Sequence, residues 1–282
     1  MKYNVAIVLA GNIEDSPYFH YYTDIFDKLN INYDIFSWDR LSIGPNGDYC
    51  FKYPSPDNLP ILKKFYHYSL YSAFVKKNII PSKYDFVIVF TIVNAIYLES
   101  FLIRNFRNRY IFDIRDYSPM YPYIKIKLKK IIENARQTYI SSPGFKEWLP
   151  ENFNYIISHN VRSQDILIDK KPKQIQNKQL LTISTFGIIR DYKTNKRLLN
   201  YLRYSDRFIL EYNGWGVVPL QEYAGRNNIT NARFGGRYKK EEENHLIEQA
   251  DLINIIFSRT IKHDTAMTNR FYHAVINRKP MI

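Results

Sequence analysis

Short apolar runs alternate with amphipathic stretches along the whole chain. Residues 3–10, 33–38, 86–90, 110–114, 138–141 and 155–158 are brief and rich in Val, Ile, Tyr and Phe, as strands buried on both faces of a parallel sheet are. Between them, 18–29, 60–77, 95–106 and 123–134 repeat apolar residues at helical spacing. Strand alternating with helix predicts parallel strands joined by crossover helices. Residues 41–58 hold Gly44, Pro45, Gly47, Pro54 and Pro56 and read as a loop.

The pattern breaks at 162–179, which is polar, lysine-rich and without strand periodicity, and it starts afresh near Leu180. Strands are expected at 180–186, 208–213, around Phe234 and at 250–257, each followed by a glycine turn or a helix. The expected organisation is α/β: one Rossmann-like domain over 1–161, a linker over 162–179, and a second Rossmann-like domain over 180–282. Two such domains place a ligand in the cleft between them, at the carboxyl ends of both sheets.

Composition narrows the class. The 282 residues are 45% hydrophobic and 24% charged, which excludes a disordered chain, and the longest early apolar run is too short to span a bilayer. The single cysteine, Cys50, excludes an internal disulfide and every multi-cysteine zinc motif and points to the cytosol. The net charge of +13 is uneven: residues 1–59 carry 4 Lys/Arg against 8 Asp/Glu, residues 60–136 carry 14 against 5, and residues 161–282 carry 21 against 12. Two basic regions fit two anionic partners, or one such partner and a membrane surface. On 60–77, Leu62, Phe65, Tyr66, Ser69, Leu70, Ala73 and Phe74 form an apolar stripe with lysines at both ends. The stripe is expected to pack on the first sheet, with the lysines, together with Lys125, Lys127, Lys129 and Lys130, forming a basic rim suited to anionic lipid. No nucleic-acid module is recognisable, so no nucleic-acid partner is expected.

In the second half, cations follow strand ends. Gly187-Ile188-Ile189-Arg190-Asp191-Tyr192-Lys193 closes the first of these strands, Asn213-Gly214-Trp215-Gly216 the next and Phe234-Gly235-Gly236 a third. Asn269-Arg270-Phe271-Tyr272 opens a helix leading to Lys279-Pro280-Met281-Ile282. A cation between a strand end and a helix start sits where an anionic ligand meets the helix N-terminus, which makes a diphosphate the first ligand to consider. Asp113-Ile114-Arg115-Asp116 is the one attractive acidic pair at a strand end in the first half, and His159 precedes the linker.

In order and spacing these landmarks resemble the GT-B-fold glycosyltransferases, specifically the large family 4 (group 1) set with its polysaccharide-biosynthesis members. The resemblance implies a sugar donor built on a nucleotide diphosphate, of UDP or GDP type, held by the second domain, and a glycan or lipid-linked acceptor held by the first. It implies no separate cofactor and no metal. Arg190 and Lys193 match the cations on the diphosphate; Gly187, Gly214, Gly235, Asn269, Arg270 and His273 match donor nucleotide or sugar contacts. Asp113, Asp116 and His159 are then the candidate catalytic groups and Arg115 an acceptor-side contact. The implied reaction is hexosyl transfer with retained configuration in surface or capsular polysaccharide assembly, in the cytoplasm or peripheral at the inner face of the cell membrane. Two departures stand out. Where many members place two glutamates, Thr265 and His273 occur here, and the last strand is cut short at Ile282, so an incomplete second domain is expected. A non-catalytic relative that binds nucleotide, glycan or a partner subunit is the alternative.

Overall fold

The computed structural model describes residues 3–13, 16–44, 47–56, 58–161, 178–239 and 242–282. The chain divides into two compact units, Met1–His159 and Asn160–Ile282. Most of the segment expected as the linker, 162–177, lies outside the described residues.

The first unit is one fully parallel sheet of seven strands: β1 (Asn4–Val8), β2 (Asn32–Asp39), β3 (Tyr49–Lys52), β4 (Phe86–Phe90), β5 (Tyr110–Ile114), β6 (Gln137–Ile140) and β7 (Tyr155–Ile157), in the order β3-β2-β1-β4-β5-β6-β7. The helices are α1 (His20–Lys28), α2 (Ile61–Asn78), α3 (Ile92–Phe106) and α4 (Tyr121–Asn134). The chain steps one way from β1 to β2 and the other way from β3 through β6. Right-handed crossovers therefore put α1 on one face and α2, α3 and α4 on the other. Val5, Ile7, Leu9, Ile88 and Phe90 meet Phe19, Tyr22 and Phe26 beneath α1. On the opposite side the buried Tyr71 of α2 donates its hydroxyl to the carbonyls of Leu9 and Phe36, 2.7 and 2.9 Å away, tying the helix to the end of β1 and the middle of β2.

Three expectations need correction here. The glycine- and proline-rich stretch 41–58 contains β3, a four-residue edge strand in parallel register with β2. Helix α3 starts at Ile92, three residues before the expected 95. The apolar stripe on α2 is not core. Its buried residues are His67, Tyr71, Ser72 and Val75, whereas Leu62 and Tyr66 are 76% and 59% exposed. Polar His67 and Ser72 go inward because each has a partner there: His67 Nδ1 lies 3.0 Å from Ser55 Oγ, and Ser72 donates to the Tyr97 carbonyl at 2.9 Å.

The second unit is a parallel sheet of β8 (Leu181–Ile188), β9 (Phe208–Trp215), β10 (Ala232–Gly236) and β11 (Leu252–Ile253), ordered β10-β9-β8-β11, with Met281 bridged to Ile253 on the far side of β11. Helices α5 (Tyr192–Leu202) and α6 (Val218–Arg226) follow the outward steps from β8 to β10, and α7 (Glu243–Gln249) follows the return. They lie on opposite faces accordingly. Leu199, Val217, Leu220 and Ala224 pack on Ile183, Leu210 and Tyr212, while Ile247 and Ala250 pack on Phe186 and Ile253 together with Ala274 of α9 (Asn269–Ile276). A short α8 (Ile261–Thr265) precedes α9. The strand expected over 250–257 is regular only at Leu252–Ile253. Asn254 ends it by accepting the Ile256 amide on its own side chain, 2.9 Å away. In each unit the helices change face beside one central strand pair, β1/β4 or β8/β11, and a parallel sheet opens its ligand crevice at the carboxyl ends of such a pair.

Candidate functional site

At the carboxyl edge of the second sheet three of the singled-out glycines arrive on adjacent strands. Gly187 of β8 is in register with Gly214 of β9, and Gly236 of β10 with Asn213. They serve different ends. A Cβ on Gly214, whose φ is +141°, would land on the carbonyl oxygen of Gly187, and a Cβ on Gly235 would collide with the side-chain oxygen of Asn213. Gly214 leaves room for the backbone of the neighbouring strand and Gly235 for the Asn213 side chain. Gly187, at φ +83°, is the reverse: a Cβ there would meet nothing within 4 Å. Only its Cα side faces open space at the switch point, its amide and carbonyl being taken up by Tyr238 and the β9 strand.

Beyond Gly187 the chain turns into α5 through Arg190 and Asp191. Asp191 is the N-cap: one carboxylate oxygen accepts the Thr194 amide at 3.2 Å and the other accepts the Ser258 amide, so a single side chain binds the exit of β8 to the segment after β11. Burial pushes this carboxyl up, but the two amides outweigh it and hold its pKa below the ordinary carboxylate value. Arg190 and Lys193 are exposed and, among the described residues, make no ion pair. They are the available cations at this helix start, and Asp191 offsets part of their charge.

Asp191 carries a stability prediction. A group with a depressed folded-state pKa contributes fully above its unfolded value, near 3.9, and loses that contribution as pH falls through the folded one. Asp191→Ala is expected to cost about 1–2 kcal/mol at neutral pH. The difference from wild type should shrink towards zero as the pH drops below about 3.9. Urea unfolding of both proteins across that range checks it, and a pH-independent difference would remove the charge from the account.

Beneath this edge lies a buried polar layer. Asn254 donates to Thr185 Oγ1 at 3.0 Å and to Asn195 Oδ1 at 3.3 Å, and its carbonyl accepts from Arg270 at 2.9 Å. The Arg270 guanidinium is 8% exposed and sits 4.3 Å over the Phe257 ring. Burial pulls its pKa down to about 10. Arg270 therefore braces the exit of β11 against the start of α9 instead of standing at the surface. Asn269 is exposed at the first position of α9, whose cap is Thr268.

His273 leads to residues the sequence does not announce. Its Nε2 lies 3.8 Å from Glu243 Oε2, and Glu243 Oε1 accepts the Tyr238 hydroxyl at 3.0 Å. The Gly187 amide in turn reaches Tyr238, whose hydroxyl is pushed well up by burial and by Glu243. A carboxylate from α7 is thus brought beside the histidine that replaces the second glutamate of the resembling family. Nothing in local spacing reveals it, because Glu243 comes from another helix. Thr265 is buried, with its hydroxyl donated to the Ile261 carbonyl at 2.6 Å, so the first glutamate position presents no side chain to the surface.

In the first unit, Asp113 and Arg115 sit at the end of β5. Asp113 is wholly buried; its Oδ2 accepts the Tyr22 hydroxyl at 2.7 Å and pairs with Arg115 at 2.5 Å, while Oδ1 has no partner. Arg115 also donates to the Ser158 carbonyl at 2.9 Å and lies 5.4 Å over the rings of Tyr18 and Tyr21. Asp116 and His159 are exposed. The structure gathers Asp113 and Arg115 into one internal cluster with tyrosines of α1 and its approach, and leaves Asp116 as the carboxylate of the group that meets solvent. Next to it, Thr91 enters α3 at φ 67° and ψ 148°, a conformation a β-branched residue rarely takes, with its amide bonded to the Asp113 carbonyl.

No protein-family model matches the chain, and no curated protein matches it in sequence. Solved structures do. A lipopolysaccharide outer core galactosyltransferase, WaaB, superposes with TM-score 0.64 at 12% identity, covering 99% of this chain and 79% of its own. WaaG, a glycosyltransferase involved in lipopolysaccharide biosynthesis, gives 0.62 at 13% identity, covering 98% and 80%. This is a GT-B fold. A UDP-GlcNAc 2-epimerase from Neisseria meningitidis, bound to UDP-GlcNAc, gives 0.53 at 11% identity, covering 89% and 76%. At such identities the likeness is one of GT-B architecture, which transferases and epimerases share. No helix among the described residues is long and apolar enough to cross a membrane.

Proposed function

We propose that the chain is a glycosyltransferase that takes a hexosyl group from a nucleotide-diphosphate donor and passes it to a glycan or lipid-linked acceptor in surface polysaccharide assembly. The observation that carries this reading is the open Cα side of Gly187, followed by Arg190 and Lys193, which are exposed and make no ion pair among the described residues, at the switch point of the second sheet. Breaking an anomeric bond puts negative charge on the leaving diphosphate. Fixed cations there stabilise the transition state more than the ground state. Galactosyl transfer by WaaB and UDP-GlcNAc binding by the epimerase, both of this fold, support nucleotide-sugar chemistry on such a frame.

In this scheme Asn269, with His273 and Glu243, borders the donor, and Arg270 positions them from below. The first unit takes the acceptor: Asp116 is the candidate base, Asp113 and Arg115 position it, and His159 is a second candidate at the same edge. Retained configuration and action at the inner face of the membrane belong to the same proposal. One observation favours a binding-only relative instead, namely that Thr265 offers no carboxylate where the resembling transferases carry one.

A calorimetric and thermal-shift screen of UDP, GDP and their sugar conjugates tests the reading. A diphosphate-specific stabilisation is expected, with affinity weakened at least about a hundredfold in Arg190→Ala/Lys193→Ala, as loss of two charge-assisted contacts worth about 1.5–3 kcal/mol each requires. Binding that survives the double substitution would move the site elsewhere. Binding without turnover of any nucleotide sugar favours the non-catalytic relative.

A further inference from the structure

Helix α5 of the second unit carries a stripe of tyrosines and cations that leads away from the proposed donor site. The helix runs from the carboxyl edge of β8 back to the amino edge of β9, because the two strands are parallel. Its inward side holds Asn195 and Leu199, both buried. On the opposite side Lys193, Arg197 and Tyr201 follow at intervals of one turn, and Tyr204 comes three residues later. All four are exposed, Tyr201 and Tyr204 at 85% and 84%. The aromatic end of the stripe is ordered. The Arg203 guanidinium lies 4.4 Å over the Tyr204 ring. Lys196 lies 4.9 Å over the ring of Tyr223 on α6, whose hydroxyl accepts from Asn200 at 2.7 Å. Rings held in this way lose little freedom when a ligand covers them.

The charge along the stripe has a single sign. Helix α5 holds Lys193, Lys196 and Arg197 and no acidic residue. The one acid of α6, Glu222, is paired with Arg226 at 3.0 Å. Lys193, Lys196 and Arg197 make no ion pair among the described residues. Exposed rings beside cations spaced a turn apart complement a chain that offers apolar ring faces and regularly repeated anions. A glycan of acidic sugars is such a chain: the C–H face of a pyranose covers a phenol ring, and its carboxylates meet Lys and Arg. An acidic polypeptide would satisfy the cations but brings no repeated ring to the tyrosines. A nucleic-acid strand is held by stacking its bases within a cationic groove. Here the surface is the outer side of one helix, and the rings of Tyr204 and Tyr223 already carry a cation.

We infer that α5 is a binding track for an anionic glycan, with Tyr201 and Tyr204 stacking on its sugar rings and Lys196 and Arg197 meeting its carboxylates. The track starts beside Lys193, at the carboxyl edge of the sheet, so a polymer lying on it is kept next to that edge. The inference goes beyond the donor site and stands on α5 and its neighbours alone. Loss of the donor-site reading leaves it in place.

Affinity electrophoresis and calorimetry of the full chain test it with three probes: polygalacturonate, which has both rings and carboxylates; dextran, which has rings only; and polyglutamate, which has carboxylates only. Polygalacturonate is expected to bind more tightly than either of the others, with affinity falling between about 0.1 and roughly 0.5 M salt. Tyr201→Ser/Tyr204→Ser should weaken that binding at least about tenfold, as loss of two covered rings requires. The unfolding midpoint should change little, since both side chains stand in water. Lys196→Gln/Arg197→Gln should weaken binding to a similar extent and flatten its salt dependence while leaving both exposed tyrosines in place. Absence of binding, or binding indifferent to the serine pair, overturns the inference. Equal affinity for polyglutamate would reduce the stripe to charge alone. Tighter, tyrosine-dependent binding of a single-stranded oligonucleotide would assign it to nucleic acid and overturn the glycan.

Discussion

Gly214→Ala is expected to destabilise the second unit by about 3 kcal/mol or more. Two penalties add. The residue sits at φ +141°, where an L side chain costs about 1–3 kcal/mol. The new methyl would also fall on the Gly187 carbonyl, and overpacking against rigid backbone costs about 1–3 kcal/mol more. The β8–β9 pair has no slack with which to absorb it, because the register runs unbroken from Leu181↔Phe208 to Ile188↔Trp215. Trp215, at the end of that register, is the one tryptophan of the second unit and reports its unfolding in urea by fluorescence. Gly225→Ala is the matched control. It lies in α6 with open space around a new Cβ, so alanine there should stabilise by about 0.5–1 kcal/mol. Equal behaviour of the two variants would show that the close approach of Gly187 and Gly214 has no energetic consequence. Because Gly187 is also the open edge of the proposed donor site, Gly214→Ala should lose nucleotide binding along with stability.

Breaking the Asp113–Arg115 pair should have an effect of similar size in the first unit. Both side chains are almost fully buried, and removing one partner of a buried pair leaves the other charge inside without its counter-ion in the pair, which costs about 3–5 kcal/mol. Arg115→Met and Asp113→Asn are each expected in that range. The double variant should recover more than half of the summed loss, because neither charge then remains inside and the Tyr22 hydroxyl keeps an oxygen to donate to. A double-mutant cycle on chemical denaturation measures this coupling. Strict additivity would mean that the two groups do not act as a pair. The pair links three elements, since Arg115 also holds the Ser158 carbonyl at the exit of β7 while Tyr22 comes from α1. Its loss should therefore loosen the whole carboxyl edge and carry Asp116 with it.

How much of this was legible depends on whether the deciding interaction is local. Residues 86–90 match β4 to the residue, because a continuous five-residue apolar run bounded by polar residues has few other outcomes, and 110–114 match β5 although Asp113 interrupts the run, its charge being met by Arg115 and Tyr22. Strand β3 was not legible. Tyr49-Cys50-Phe51-Lys52 is only four residues between prolines and glycines, and it becomes a strand by pairing with β2 at an edge where only one side must be satisfied. The inward face of α2 was misassigned because periodicity weighs apolarity alone. His67 and Ser72 are buried by hydrogen bonds to Ser55 and Tyr97, twelve and twenty-five residues away in sequence.

The same division runs through the candidate site. Gly187, Gly214 and Gly235 could be marked from turn chemistry, but which of them faces open space and which separates two strands is a property of register. Arg190, Lys193 and Asn269 are exposed at helix starts, as a cation or polar group at a strand–helix junction tends to be. Arg270 carries the same local signature and is buried, because Phe257 and the Asn254 carbonyl, more than ten residues earlier, close over it. Asp191 stood in the motif, and its capping role follows from an Asp placed just before a helix. Its second bond, to Ser258, does not.

The sequence by itself determined the α/β class, the alternation of strand and helix, the break between two halves and the glycine and cation positions at strand ends. All of these are set by period, turn propensity and charge within a few residues of each site. Only the tertiary structure decided that α2 shows Leu62 and Tyr66 to solvent, that Arg270 lies beneath the site, and that Glu243 joins His273 and Tyr238. Each of those depends on which strands become neighbours, and strand order brings together side chains that no local pattern can relate.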